Sequence, residues 1–235
     1  MKPSLPKNLF NLSDIEILKQ YPKTFTAPPV LSENLIRRIL NGEKVRDQEF
    51  DTIFPPYYQV VSDIHWSSIE VARQIASWLN EKPKLRFIDI GCGVGKLCFL
   101  LQILTPHEIH GIEQRTNLVK IAQAIIKQNN LKQISIKSMN MIDLDWSEYD
   151  VYYLYNPFQE HQDGSRFCVI ENNIDLDSKY FAHYTSEVFR QLAWAETGKM
   201  LITYHGFGGR IPPSWRMLTS KHIENGHLEL WMKES

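Results

Sequence analysis

Cysteine is scarce in this chain, with Cys92, Cys98 and Cys168 the only three among 235 residues. They show neither metal-ligand spacing nor a disulfide framework, which excludes a zinc module and a disulfide-stapled secreted domain. Cys92 and Cys98 lie in or beside a glycine turn and read as small apolar packing groups. A charge excess of either sign is also missing. With 26 Lys and Arg against 27 Asp and Glu, the net charge is −1 at pH 7. No global basic field exists to hold a polyanion, which argues against nucleic acid as a partner. No apolar run is long enough to span a membrane, and the opening MKPSLPKNLF lacks the apolar stretch of a signal peptide. Repeats and low-complexity segments are absent too. The expectation is a reduced, cytoplasmic protein, and 43% hydrophobic content suffices for one substantial core.

Against that background one stretch organises the chain, residues 85–96, LRFIDIGCGVGK. Phe87, Ile88 and Ile90 read as a buried parallel strand, too short and too β-branched for a helix. Glycines at 91, 93 and 95 let the backbone take positive φ, turn sharply and approach a ligand with no Cβ between. From Lys96 the run LCFLLQIL is apolar nearly all round, as suits a helix packed on a sheet. Its first turn directs free N–H groups at the turn below. Strand, glycine turn and helix together form a cofactor cradle. Dinucleotide sites prefer G-x-G-x-x-G, with a pyrophosphate set on the helix end. Here the spacing is G-x-G-x-G, and Asp89 just ahead would repel a pyrophosphate yet suits a cationic ligand.

Upstream, prolines at 22, 28, 29, 55 and 56 break the chain into short pieces. A helical N-terminal extension over 1–65 is expected, not an independent domain. Ser13 with Glu16, Ser32, and Ser67 with Glu70 are candidate helix caps, and Asn41-Gly42 a helix stop. The stretch 54–68 carries Phe54, Tyr57, Tyr58 and Trp66, and has two readings. It is a wall over the cofactor, or it anchors the extension on the core. Downstream, strands are expected at 108–112, 133–137, 150–158 and 199–205. Leu118, Ile121, Ala122, Ile125 and Ile126 mark one amphipathic helix, and Tyr184, Val188, Phe189 and Leu192 another. Residues 215–233 read as a hairpin closed at Asn225-Gly226 by a type I′ turn. Glu113 follows Gly95 by one helix plus one strand, at the carboxyl end of the second strand. A carboxylate there can accept from both hydroxyls of a ribose.

The glycine turn with Asp89 resembles motif I of the class I S-adenosylmethionine (SAM)-dependent methyltransferases. The resemblance covers about 54–235 in architecture, with specific motifs at 87–95, 113 and 156–158. It implies a doubly wound, mostly parallel seven-stranded α/β sheet of order 3-2-1-4-5-7-6 over 66–235, with the extension as cofactor lid. It also implies methyltransferase activity with SAM as cofactor and no metal. Asp89 would then serve the SAM amino group, and Gly91, Cys92, Gly93 and Gly95 would surround the methionyl moiety. Glu113 would hold the ribose, and Gln114 beside it would also contact the cofactor. Asn140 and Met141 would meet the adenine, with Asp143 the alternative acceptor.

Asn156-Pro157-Phe158 resembles the [DN]-P-P-[YFW] motif of amino-methylating enzymes but lacks the second proline. Carried over, Asn156 borders the cofactor and holds an acceptor nitrogen, Pro157 stiffens the turn and Phe158 stacks on the substrate. A rigid turn at a strand end is the other reading. Around motif I and Gly111-Ile112-Glu113 the chain is also similar to Dot1-type lysine methyltransferases. The expected acceptor is a nitrogen on a protein side chain or a small molecule. An RNA acceptor, or a silent SAM-binding regulatory protein, is the alternative. The polar loop 159–178, with Glu160, His161 and Arg166, is where substrate choice is expected.

Overall fold

The computed structural model describes residues 20–24, 29–162, 170 and 174–235. The Ser13–Glu16 cap, Arg166 and Cys168 lie outside the described residues. The strands are β1 (Arg86–Ile90), β2 (Glu108–Glu113), β3 (Ile134–Ser138), β4 (Val151–Tyr155), β5 (Met200–Tyr204), β6 (Trp215–Ile223) and β7 (Gly226–Lys233). They form one seven-stranded sheet in the expected order, β3-β2-β1-β4-β5-β7-β6. β1 to β5 run parallel, and β7 is antiparallel to both β5 and β6.

Seven α-helices are described: α1 (Glu33–Leu40), α2 (Asp47–Phe50), α3 (Pro56–His65), α4 (Ile69–Leu79), α5 (Lys96–Leu104), α6 (Thr116–Gln128) and α7 (Ser178–Trp194). The first four precede β1. Alternation along the central strands divides the core between the two faces of the sheet. Phe87, Tyr153 and Ile202 pack with the apolar sides of α4, α5 and α6 and with Phe50, Phe54 and Tyr58 from upstream. Ile88, Ile90, Tyr152, Leu154 and Leu201 pack with Val188 and Leu192 of α7 and with Met141, Leu144 and Trp146. Burying each such side chain contributes about 1.5–3 kcal/mol relative to leaving it in water. Strand order reverses between β1 and β4, so a crevice opens at their carboxyl ends.

Three local expectations are corrected. β4 ends at Tyr155, not 158, because Asn156 turns to a φ of +39° and Pro157 follows with no N–H for a ladder. The hairpin turn is one residue earlier than expected. Ile223 pairs with Gly226, which leaves Glu224 and Asn225 as the loop. Only Glu224 of the two has positive φ, +54°, where a type I′ turn requires it at both. The cap of α4 is Ser68, whose Oγ accepts from Val71 N at 3.4 Å. Ser67 instead bonds the Tyr153 hydroxyl beneath the sheet surface.

Candidate active site

A cleft of about 270 Å³ lies at the carboxyl ends of β1, β2, β4 and β5. Its floor is Ile90, Gly91 and Gly93, one side is Glu113, Gln114 and Arg115, and the next is Met139, Asn140 and Met141. Tyr155 to Glu160 face these across the crevice, and Ile64, His65, Trp66 and His205 close the mouth. Of the residues singled out by sequence, Gly91, Gly93, Glu113, Gln114, Asn140, Met141, Asn156, Pro157 and Phe158 are thus brought together. Asp89, Cys92 and Gly95 lie behind this wall, among buried side chains.

The glycine turn is shaped by what presses on it. Gly91 has φ +81°, and a Cβ there would come within 3.2 Å of the Pro157 ring. Gly93 has φ +57°, and a Cβ there would run into the indole of Trp66. Bare backbone at 91 and 93 therefore lets the turn after β4 and the end of α3 close over motif I. The aromatic stretch divides between core and cleft. Phe54, Tyr57 and Tyr58 are buried anchors, whereas Trp66 is a wall of the cleft.

Glu113 is buried, and burial pushes its carboxyl pKa up. Oε2 accepts from Gly93 N at 3.2 Å and Oε1 from Arg115 N at 2.9 Å. The Gln114 N–H also donates to this carboxyl, and of its roughly four acceptor sites one is left for a ligand hydroxyl. The Arg115 guanidinium stands 3.7 Å from Glu113 Oε1 and forms a close ion pair with Glu160. Its buried Nε has no partner among the described residues. Replacing Glu113 by alanine is expected to weaken SAM binding by about 1.5–3 kcal/mol, the range for a hydrogen bond to a charged group. Glu113→Gln should recover part of the loss, because one acceptor remains. Calorimetric titration measures both, and two variants that bind like wild type would remove Glu113 from the ribose site.

Asp89 sits between β2 and β4 with its carboxyl buried beneath α5, 3.6 Å from the Cys98 thiol. Burial, with a smaller contribution from the Glu113 charge, pushes its pKa up to about 7. Its unfolded value is 3.8, so the folded state holds an extra proton between about pH 4 and pH 7. The stability tied to that proton is present in full at low pH and is lost as pH rises through 7. Asp89→Asn keeps the shape without the titration. The variant should unfold at higher denaturant than wild type at pH 8, by up to roughly 4 kcal/mol, and the gap should close toward pH 4. Denaturant titrations across that range check the slope, and a constant gap would contradict it.

The adenine-side residues are already engaged. Asn140 Oδ1 caps the turn by accepting from Ile142 N at 3.1 Å, while Nδ2 donates to the Tyr184 hydroxyl at 2.9 Å. Phe158 does not stand free for a substrate. It is buried and stacks on Tyr184 with centroids 5.2 Å apart, fixing α7 to the turn after β4. Asn156 is different. Its N–H donates to Gly206 O at 2.8 Å and its Nδ2 to Gln159 Oε1 at 3.3 Å. Oδ1 has no partner among the described residues and borders the cleft.

Beneath the site lies a buried charge cluster. Lys96, first residue of α5, is 1% exposed. Its Nζ is 2.7 Å from Asp47 Oδ1, 2.9 Å from Asp51 Oδ1 and 2.9 Å from Ser62 Oγ. These partners come from α2, the turn after it and α3, so the helix that follows the glycine turn is tied to the upstream helices. Burial, offset by Lys96, pushes the Asp51 pKa up to about 6.

Sequence reading missed His65, Arg115, Tyr155 and His205 as cleft residues. A signal existed for one of them. Arg115 stands two residues past Glu113, at the cap of the next helix, where side chains face the crevice.

Sheet order, glycine turn and a strand-two carboxylate at the switch point define a Rossmann-like protein built to hold a nucleoside-bearing cofactor. Residues 81–229 match the family profile of a methyltransferase domain, and the chain belongs to the class I SAM-dependent methyltransferases, with SAM as cofactor. The match is to this domain in general and does not single out the Dot1-type enzymes. The O-methyltransferase rstn1 of Aspergillus nomiae is 27% identical over 122 residues, 43% of this chain and 53% of that protein. The aligned part therefore spans about half the length of this curated relative.

Among solved structures, the putative methyltransferase yhhF of Escherichia coli superposes with a TM-score of 0.53 at 12% identity, over 73% of this chain and 90% of that one. A mutant of MtNAS in complex with SAM gives 0.50 at 12% identity, over 85% and 70%. At these identities the likeness is one of fold. The residues present fit the cofactor on their own chemistry, since Glu113 has acceptor capacity facing the cleft and the glycine turn leaves bare backbone beside it. No helix among the described residues is long and apolar enough to cross a membrane.

Proposed function

We propose that this protein transfers the methyl group of SAM to a nitrogen acceptor, on a protein side chain or a small molecule, with Asn156 holding that nitrogen. The observation that carries the reading is Asn156 itself. It is a non-glycine residue at φ +39° on the cleft wall, with Oδ1 unpaired among the described residues. Such backbone costs on the order of 1–3 kcal/mol and persists where the surroundings enforce it, commonly at functional sites. An amide oxygen can accept one N–H of an amine and so direct the nitrogen lone pair.

The cofactor supplies a methyl group already activated on a sulfonium, so the protein's task is to align the nucleophile and exclude water. In this reading Glu113 holds a ribose hydroxyl, and Gln114, Asn140 and Met141 border the base. Gly91 and Gly93 admit the methionyl end, with Asp89, Cys92 and Gly95 supporting the turn from behind. Ile64, His65 and the adjoining Trp66 line the cleft, which supports reading 1–65 as a cofactor lid joined to a methyltransferase domain over 66–235. Pro157 stiffens the turn against Gly91, and Phe158 keeps α7 in place instead of stacking on substrate. The near-neutral charge favours a protein or small-molecule acceptor over RNA.

Methyl-labelled SAM incubated with fractionated lysate tests the reading. Label should enter the protein or small-molecule fraction as an acid- and base-stable N-methyl group. Label confined to RNA, or SAM bound without any transfer, would overturn it.

A further inference from the structure

Asn156 is one of four described non-glycine residues with positive φ; the others are Asn130, Glu224 and His205. Two of the four stand side by side in the cleft. β4 and β5 are parallel, with Tyr155 paired to Tyr204, and each strand's next residue, Asn156 or His205, turns out of the sheet. The Asn156 N–H donates to Gly206 O at 2.8 Å, which locks the two turns together. His205 has φ +56°, lines the cleft and is solvent-exposed.

The imidazole is held on three sides. One face stacks on Tyr155, with centroids 5.6 Å apart and planes at 25°. Tyr204 meets it edge-on at 4.4 Å. The third side is Gly226 of β7, where any Cβ would collide with the ring edge that carries Nε2. Tyr155 is itself held from the lid, its hydroxyl donating to Ile64 O at 3.4 Å. Neither ring nitrogen of His205 has a hydrogen-bond partner among the described residues. Nε2 faces the Gly226 backbone, so Nδ1 is the nitrogen left to act; a strained backbone, a ring packed in one orientation and an unpaired Nδ1 at the mouth of an active cleft are what a proton acceptor needs.

We propose that His205 is a catalytic base that removes the proton from an acceptor amine held at Asn156. The inference rests on the nitrogen-acceptor reading above and deepens it, because it makes the acceptor an alkylamine that arrives as an ammonium ion. The unprotonated imidazole takes one proton, and the N–H electron pair stays on nitrogen as the lone pair. That pair forms the C–N bond to the cofactor's methyl carbon while the C–S pair returns to sulfur. The imidazolium passes its proton to water, to which His205 is open. His65, the other histidine of the cleft, does not suit this task. Burial, with the Arg115 charge, pushes its pKa down to about 4, so it is neutral and a weak base.

The test compares wild type with His205→Ala and His205→Gln. Methyl-labelled SAM is the donor and a lysine-containing peptide or a small primary alkylamine the acceptor. Both variants should keep the melting temperature and the calorimetric SAM affinity of wild type. Both should lose about 10²-fold in kcat, the lower end of the range for general-base catalysis. Glutamine can hydrogen-bond but cannot carry the proton away, so rescue by His205→Gln would overturn the proposal. Added imidazole should restore part of the rate in His205→Ala.

An unchanged kcat, or loss of stability and SAM affinity together, would assign His205 a structural role. A wild-type product methylated on oxygen would defeat the nitrogen reading instead, and the His205 comparison would still be readable on that product.

Discussion

Lys96→Met is expected to lower the unfolding free energy by about 3–5 kcal/mol at pH 8, the range for removing one partner of a buried ion pair. Methionine nearly keeps the volume, so the change isolates the charge. Without Lys96, Asp51, which is 0% exposed, loses its cation and Asp47 loses a partner only 2.7 Å away. The deficit should depend on pH with a definite sign. In wild type the Asp51 pKa is raised to about 6 by burial, so below that value the carboxyl is neutral and draws little from Lys96. Above it the variant must either ionise a buried, unpaired carboxyl or keep its proton at a cost of about 1.4 kcal/mol per pH unit. The deficit should therefore shrink as pH falls through 6.

The same variant should bind SAM more weakly. Lys96 ties the helix after the glycine turn to Ser62 on α3, the helix that delivers Trp66 onto Gly93. Denaturant titration at pH 5 and pH 8 with calorimetry at each would measure both effects. A loss below about 1 kcal/mol at both pH values would show that the cluster is not what holds the upstream helices down.

Asn156→Ala is expected to reduce kcat by about 10²-fold with SAM affinity unchanged, the scale of misplacing a reactant by about an ångström. The substitution removes Oδ1 from the cleft and the Nδ2 bond to Gln159, but leaves the backbone bond to Gly206 O. Alanine tolerates positive φ less well than asparagine, so some thermal stability will be lost as well. Asn156→Gly separates the two effects, since glycine relieves the strain and still lacks the amide. If the glycine variant regains stability but not rate, the amide holds the acceptor. If it regains both, Asn156 serves the turn, and the acceptor is gripped elsewhere, from the lid or the loop after β4.

The strands, the motif I turn and the position of Glu113 were legible in the order of residues alone, whereas the order of the sheet came from the family resemblance. The physical reason is locality. A buried parallel strand must be a short apolar run, a turn at positive φ calls for glycine, and one crossover fixes the distance to the next strand end. The turn residues of the hairpin and the end of β4 were misplaced by one to three positions, because both depend on the φ of single residues, Glu224 and Asn156, that are not glycine.

What only the tertiary structure decided is which side chains reach the cleft. Asp89 and Glu113 are both acids beside the same turn, yet alternation on β1 buries Asp89 under α5 while Glu113 sits at a strand end and faces the crevice. The motif resemblance makes Phe158 a substrate platform, yet Tyr184 claims it from a helix some 26 positions on. Lys96 heads an apolar helix, a conflict that local sequence cannot resolve, and its answer is three partners 34 to 49 residues upstream. His205 shows the same limit. It closes an ordinary strand in sequence, and its place beside Asn156 exists only because β4 and β5 pair in register and Gly226 leaves room for its ring.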